Sequence, residues 1–294
     1  MSQSVKAILL MVLAMASFAV GDVMVKIAAA RMPVSEVLFF ISLGSLILFG
    51  AMALASGKPI ISRQFWAHGV LLRNAAEVLG TACIVLALAA APLVQVVAIN
   101  QVLPVLVTLG AVFILGEKVG PRRWIAVLIG LVGVLIVLRP GPDLEIGAIL
   151  ALGAAIGLGL RDVFTRLVPK EVAILSLAVW AMAFLVPVSV VMLLVDGRAV
   201  QPQGTDWAVI TGALLATALA YISITASVRL AEISIVSPFR YSRLLFGTAL
   251  GVWVFGETLD GPTIVGASLI VAAGLYILLR ERHVSALPHD AKVR

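Results

Sequence analysis

Residues 110–124 read GAVFILGEKVGPRRW and residues 250–265 read LGVWVFGETLDGPTIV. Each ends an apolar run on a Gly-Glu step, Gly116-Glu117 and Gly256-Glu257, 140 positions apart, and each restarts a second apolar run after a Gly-Pro step. At the same separation upstream, Asp22-Val23 with Lys26 recurs as Asp162-Val163 with Arg166. Downstream, with one residue inserted, Gly120-Pro121 becomes Gly261-Pro262, Gly133 becomes Gly274 and Arg139 becomes Arg280. One match could be chance, but an ordered set running through both halves reads as an internal repeat. Its units are 1–141 and 142–294, the second with a short polar tail.

The apolar runs are membrane spans. The 294 residues are 62% hydrophobic and 12% charged, with a mean hydropathy of +1.16. Soluble domains are about half apolar and about a quarter charged, and their surface-to-volume ratio leaves too little interior to hide this much apolar surface. A bilayer is crossed by about 20 apolar residues. Runs of that kind cover roughly 7–30, 34–55, 67–90, 94–115, 122–139, 146–168, 172–195, 207–230, 235–256 and 263–280. The breaks carry turn chemistry, as at Arg31-Met32-Pro33, Gly57-Lys58-Pro59 and Arg139-Pro140-Gly141-Pro142. The expected fold is an all-α membrane protein of ten transmembrane helices. Five spans per unit is an odd number, so the second unit enters the membrane from the opposite side. That is an inverted repeat, a recurrent plan for secondary transporters.

Lysine and arginine set the orientation. With the N-terminus in the cytoplasm, thirteen fall in cytoplasmic breaks and ends and four (Lys26, Arg31, Arg139, Arg198) on the other side. Both termini are therefore expected in the cytoplasm, in a bacterial-type inner membrane. The first run is too long for the core of a cleaved signal and reads as a retained helix. The net charge of +6 belongs to this pattern and not to nucleic-acid binding. Cys83 is the one cysteine, so no internal disulfide can form. There is no G-x-x-x-x-G-K-[S/T] phosphate loop, and His68, His283 and His289 have no metal-site spacing. No cofactor or metal is expected.

The second part of each unit carries a family likeness. In the first it runs Leu86-Ala-Leu-Ala-Ala-Ala-Ala-Pro92, Leu103-Pro104, Gly116-Glu117, Gly120-Pro121 with Trp124, then Gly130 and Gly133 before Arg139-Pro140-Gly141. This resembles the EamA-type transporters of the drug/metabolite transporter superfamily, over essentially the whole chain. The resemblance implies a ten-helix basket whose central cavity is lined by spans one, three, four, six, eight and nine. It further implies an inner-membrane permease, often an exporter of amino acids or related metabolites, as in exporters of the YddG type. Span nine departs from the pattern with Pro238-Phe-Arg240-Tyr241-Ser-Arg243.

Charged groups within spans are informative because each costs about 2.5–3.5 kcal/mol at a helix centre. Asp22 and Lys26, Arg73 and Glu77, and Asp162 and Arg166 are each four apart, so each pair can neutralise itself on one helical face. They are read as gating or ion-pair residues, or as headgroup-level pairs that orient the helix. Asn100 and Gln101 lie mid-span, one turn before Pro104, which removes a backbone hydrogen bond and frees a carbonyl at depth. At the repeat offset their counterparts are Arg240 and Tyr241. This set, with Arg243 and Glu77, reads as the substrate site, with Arg240 toward a carboxylate. The plainer reading is interhelical hydrogen bonding. Trp180 is mid-span and can line the cavity or pack in the core. Glu117 and Glu257 read as structural, bonding backbone at a tight turn. Gly153–Gly157 and Gly247–Gly251 read as close packing within the chain.

The leading expectation is a secondary carrier of amino acids or similar small metabolites, working outward by alternating access in the lipid bilayer. A second is a carrier or exchanger of another charged metabolite, such as a nucleotide-linked compound or S-adenosylmethionine. An intramembrane aspartyl protease built on Asp22 and Asp162 is a remote third, since each aspartate has a basic residue at i+4 and position 19 is alanine. Oligomeric state is open.

Overall fold

The computed structural model describes residues 3–116, 121–139, 145–169, 171–198, 200–230 and 236–285. The helices are α1 (Gln3–Ala29), α2 (Val34–Ala55), α3 (His68–Ala90), α4 (Leu93–Asn100), α5 (Leu103–Phe113) and α6 (Pro121–Leu138) in the first half. The second half has α7 (Ile146–Thr165), α8 (Ile174–Asp196), α9 (Gly204–Leu230), α10 (Ser242–Phe255) and α11 (Gly261–Ser285). Short 3-10 turns cover Arg63–Trp66 and Ser237–Tyr241. Seven of the spans are long and apolar enough to cross a bilayer on length and composition: α1, α2, α3, the α4–α5 pair, α7, α8 and α9. Among the described residues the other three contribute shorter helices, with apolar stretches Trp124–Leu138 in α6 and Gly261–Ala273 in α11, and α10 at Ser242–Phe255.

Two of the ten spans are broken, at equivalent places. In span four, Pro104 has no N–H to offer the Asn100 carbonyl, and the chain turns through Gln101 and Val102, whose N–H groups bond back to Ala98 and Ile99. In span nine the 3-10 turn Ser237–Tyr241 runs directly into α10.

The packing repeats the sequence. α3 lies along α7 and α1 along α9; α2 meets α8, α6 meets α11, and α4 meets α10. Exchanging the halves maps this set onto itself, as a two-fold axis between them requires. The partners run antiparallel. On α2 and α8, Ser35 donates to Asp196 at 2.9 Å, and Ser42 lies 3.2 Å from Ser189. On α6 and α11, Gly133 faces Ile270 while Val137 faces Gly266. Even the turns agree: Gly116 and Gly256 both take left-handed φ, +69° and +65°, a conformation glycine adopts without strain.

Small residues fix the closest approach. A Cβ on Gly157 would sit 2.5 Å from the backbone nitrogen of Gly80, so α3 and α7 touch backbone to backbone. Gly153 meets Cys83, while Gly247 and Gly251 meet Val97 and Val94 of α4; these glycines serve packing inside the chain. Outward, Ile47, Leu54, Leu194, Val195, Leu245 and Trp253 are exposed, forming the apolar belt that faces lipid.

Candidate functional site

Spans from both halves deliver charge to one zone of the interface. Arg73 on α3 holds Glu77 one turn on, at 2.8 Å, and also donates to Asn74 and to the Leu177 carbonyl of α8 at 3.1 and 3.3 Å. The other oxygen of Glu77 accepts from Arg161 of α7 at 3.2 Å. Arg161 turns back on Asp162 through Nε and a terminal nitrogen, at 3.0 and 2.8 Å. Asp162 in turn lies 3.6 Å from Arg240 of span nine. The result is an alternating file, Arg73–Glu77–Arg161–Asp162–Arg240, that crosses between the halves at Glu77–Arg161. A separate pair joins Asp22 of α1 to Arg243 at 2.7 Å, with the guanidinium 5.1 Å over the Phe18 ring.

Alternation is what makes the cluster affordable. A buried charge is tolerated when paired and hydrogen-bonded, and each carboxylate here has at least one guanidinium partner. Four guanidiniums against three carboxylates leave an excess of positive charge. Arg240 is the least engaged of the four. Its one described ion pair is long, and a third of its side chain stays accessible (33%). The Tyr241 hydroxyl, on the next residue, and the Asn100 carbonyl oxygen of span four are buried without a described hydrogen-bond partner, although the Asn100 amide bonds the Val96 carbonyl at 2.9 Å. Gln101 is buried next to them. Unpartnered buried polar atoms are rare in folded proteins; among the described residues two lie at the break in span four and its counterpart in span nine, and the others are Arg73 Nε, Asn74 Nδ2 and Gln95 Oε1.

Most of the residues expected from sequence therefore meet. Arg73 and Glu77 pair as the i,i+4 rule requires, and Asp22, Asp162, Arg240 and Arg243 join the clusters. Three expectations are corrected. Lys26 does not pair with Asp22: its ammonium donates to the Leu88 and Ala91 carbonyls at 3.3 and 2.5 Å and lies 3.7 Å from Glu257. Asp162 is engaged by Arg161 and Arg240, while Arg166 caps the end of α7. Trp180 is buried in the packing: its indole N–H donates to the Ile60 carbonyl at 2.6 Å and its ring packs on Phe65, anchoring the α2–α3 loop. Glu257 does bond backbone, but that of another helix: it accepts from Leu93 and Val94 at 2.6 and 2.8 Å. Glu117 lies outside the described residues. Sequence reasoning passed over Arg161, for which the signal was present: two adjacent charges, Arg161-Asp162, in an otherwise apolar span. A groove of about 740 Å³ between α10 and α11 is lined by Leu245, Val252, Ile264 and other apolar groups, and by none of the charged residues above.

With that geometry established, the family model for EamA-like transporters matches residues 5–139 and again 145–279. The chain belongs to the EamA-like transporter family. As such it is a multi-pass membrane transporter of the drug/metabolite type, handles small molecules, and is not an enzyme. It is similar to a riboflavin transporter of Rhizobium johnstonii, 32% identical over 244 residues, covering 83% of this chain and 78% of that one. A riboflavin transporter of Vibrio cholerae is 30% identical, over 75% and 74%. An S-adenosylmethionine uptake transporter of Rickettsia prowazekii is 21% identical over 95% of both chains, and a pseudopaline exporter of Pseudomonas aeruginosa 27% identical over 90% and 93%. A solved crystal structure superposes with a TM-score of 0.63 over 95% of this chain and 99% of its own, at 18% identity, which supports the fold.

Proposed function

We propose that this EamA-like transporter is a secondary carrier that takes a neutral or anionic, acceptor-rich metabolite across a bacterial inner membrane by alternating access, binding it at Asn100, Gln101, Arg240 and Tyr241. The observation that carries this reading is that a loosely engaged guanidinium, an unpartnered hydroxyl and an unpartnered amide oxygen fall at the equivalent breaks of spans four and nine. Two antiparallel halves of equal build can open to either face at similar energy. The thirteen-to-four bias of basic residues supports a reading with both termini in the cytoplasm.

The charge balance selects among substrates. The described carboxylates of the site, Asp22, Glu77 and Asp162, all have arginine partners. An amino-acid ammonium or a sulfonium would therefore have to displace a guanidinium. A planar heterocycle with carbonyl acceptors and an N–H would not: Arg240 and Tyr241 donate to its oxygens, and Asn100 accepts from its N–H. Riboflavin has that chemistry, and two of the relatives above are named for it. The sequence-level reading of amino-acid export is the competing one. Purified carrier in liposomes, loaded in turn with riboflavin, alanine and S-adenosylmethionine, separates them. Riboflavin flux that is lost in Arg240→Ala supports the proposal. Flux of alanine without riboflavin overturns it.

A further inference from the structure

Lys26 and Glu257 lie away from the central charges and do something different. We infer that they form a latch that holds one face of the carrier closed and must part before the site can open there, an inference that rests on the alternating-access reading.

The latch is built around the break between α3 and α4 at Ala91-Pro92. A helix that ends leaves carbonyls without partners, and one that begins leaves N–H groups without partners. The Lys26 ammonium, from α1, takes the Leu88 and Ala91 carbonyls at the end of α3. The Glu257 carboxylate, from the turn after α10, takes the Leu93 and Val94 N–H groups at the start of α4 with both its oxygens. The cation sits at a helix C-terminus and the anion at an N-terminus, the polarity that helix dipoles favour. The two side chains then meet at 3.7 Å, with the Phe255 ring 5.4 Å from the ammonium.

Local sequence is fitted to this. Gly256 in the left-handed region turns the chain so that the Glu257 N–H bonds the Gly251 carbonyl. A Cβ on Gly251 would lie 2.8 Å from Val94 and 3.0 Å from the Glu257 carboxylate, so glycine there leaves room for the acid between α10 and α4. Further ties close the same end of the bundle: Arg31 with Asp206, Arg139 with Asp260, and the Val200 N–H with Glu36. The Lys26–Glu257 pair is distinct in binding the α3–α4 corner from both halves at once. Any motion that carries α10 away from α4 at this end breaks the two Glu257 hydrogen bonds and the Lys26–Glu257 ion pair together.

The test reads accessibility and needs no substrate. In a Cys83→Ala background, Val94→Cys sits under the latch, packed on Gly251, and Val70→Cys is a control in a separate buried cluster. The probe is a membrane-impermeant maleimide applied to the full chain in liposomes. Expected is slow labelling at position 94 that rises about tenfold in Glu257→Gln and in Lys26→Met, with position 70 unreactive throughout. The exchanged pair, Lys26→Glu with Glu257→Lys, should label as fast as the single variants, because each charge would then face the wrong helix end. Unchanged labelling at 94, an equal rise at 70, or a slow rate in the exchanged pair each overturns the latch. Riboflavin flux in the same liposomes reports separately on the carrier reading.

Discussion

Replacing Arg161 by methionine tests whether the charged file is one interacting unit. The guanidinium makes three short contacts, one to Glu77 at 3.2 Å and two to Asp162 at 3.0 and 2.8 Å. Removing one partner of a buried ion pair costs about 3–5 kcal/mol, because the other charge is left without compensation. Here each carboxylate keeps one arginine, Arg73 at 2.8 Å for Glu77 and Arg240 at 3.6 Å for Asp162. The expected loss is therefore lower, about 2–4 kcal/mol, with Asp162 the worse served. Adding Glu77→Gln removes one of the facing negative charges, so the double variant should recover about 1–2 kcal/mol relative to the sum of the singles. Asp22→Asn, which shares no partner with Arg161, should add to it without coupling. Reversible unfolding in mixed micelles measures the free energy of each single and double variant. The reasoning fails if Arg161→Met lies within about 0.5 kcal/mol of the parent, or if the Glu77 and Arg161 changes are strictly additive.

Arg240→Ala should raise the KM for riboflavin about 10- to 100-fold, the worth of a hydrogen bond to a charged group, with folding stability little changed; liposome flux against substrate concentration checks it. Trp180→Phe should lose the bond to the Ile60 carbonyl and about 1 kcal/mol of stability while leaving KM untouched, and a shifted KM would return Trp180 to the site. Gly157→Val should abolish the folded, monodisperse protein, since its Cβ meets Gly80 backbone at 2.5 Å and backbone cannot rotate away; size-exclusion profiles in detergent decide. Single cysteines near residues 3 and 285 should be labelled by impermeant reagent only after the cytoplasmic side is opened.

The spans and the repeat were legible because they rest on properties each segment carries alone: a run of apolar residues and a glycine where the chain turns. The repeat also pointed to the site, since residues 100 and 101 and their counterparts 240 and 241 stand out as polar in apolar runs. Pairing was legible only along a helix. The i,i+4 rule found Arg73 with Glu77 but assigned Lys26 to Asp22, whereas the fold sends Lys26 to Glu257, on a turn more than two hundred residues away. Trp180 stayed between cavity and core for a related reason: its indole looks idle in a helix until the α2–α3 loop brings the Ile60 carbonyl to it. Nothing in local periodicity reports what a later segment will bring.

The exchange of partners between halves, α3 along α7 and α1 along α9, bears on how the protein is made. When the ribosome has delivered only the first 141 residues, the glycine-bearing seams of α3 and α6 have nothing but lipid against them. Those early segments must wait in the bilayer, unassembled, until their mates emerge. A gene divided at that point should still yield a working protein when both fragments are synthesised together, and neither fragment should persist in a cell by itself.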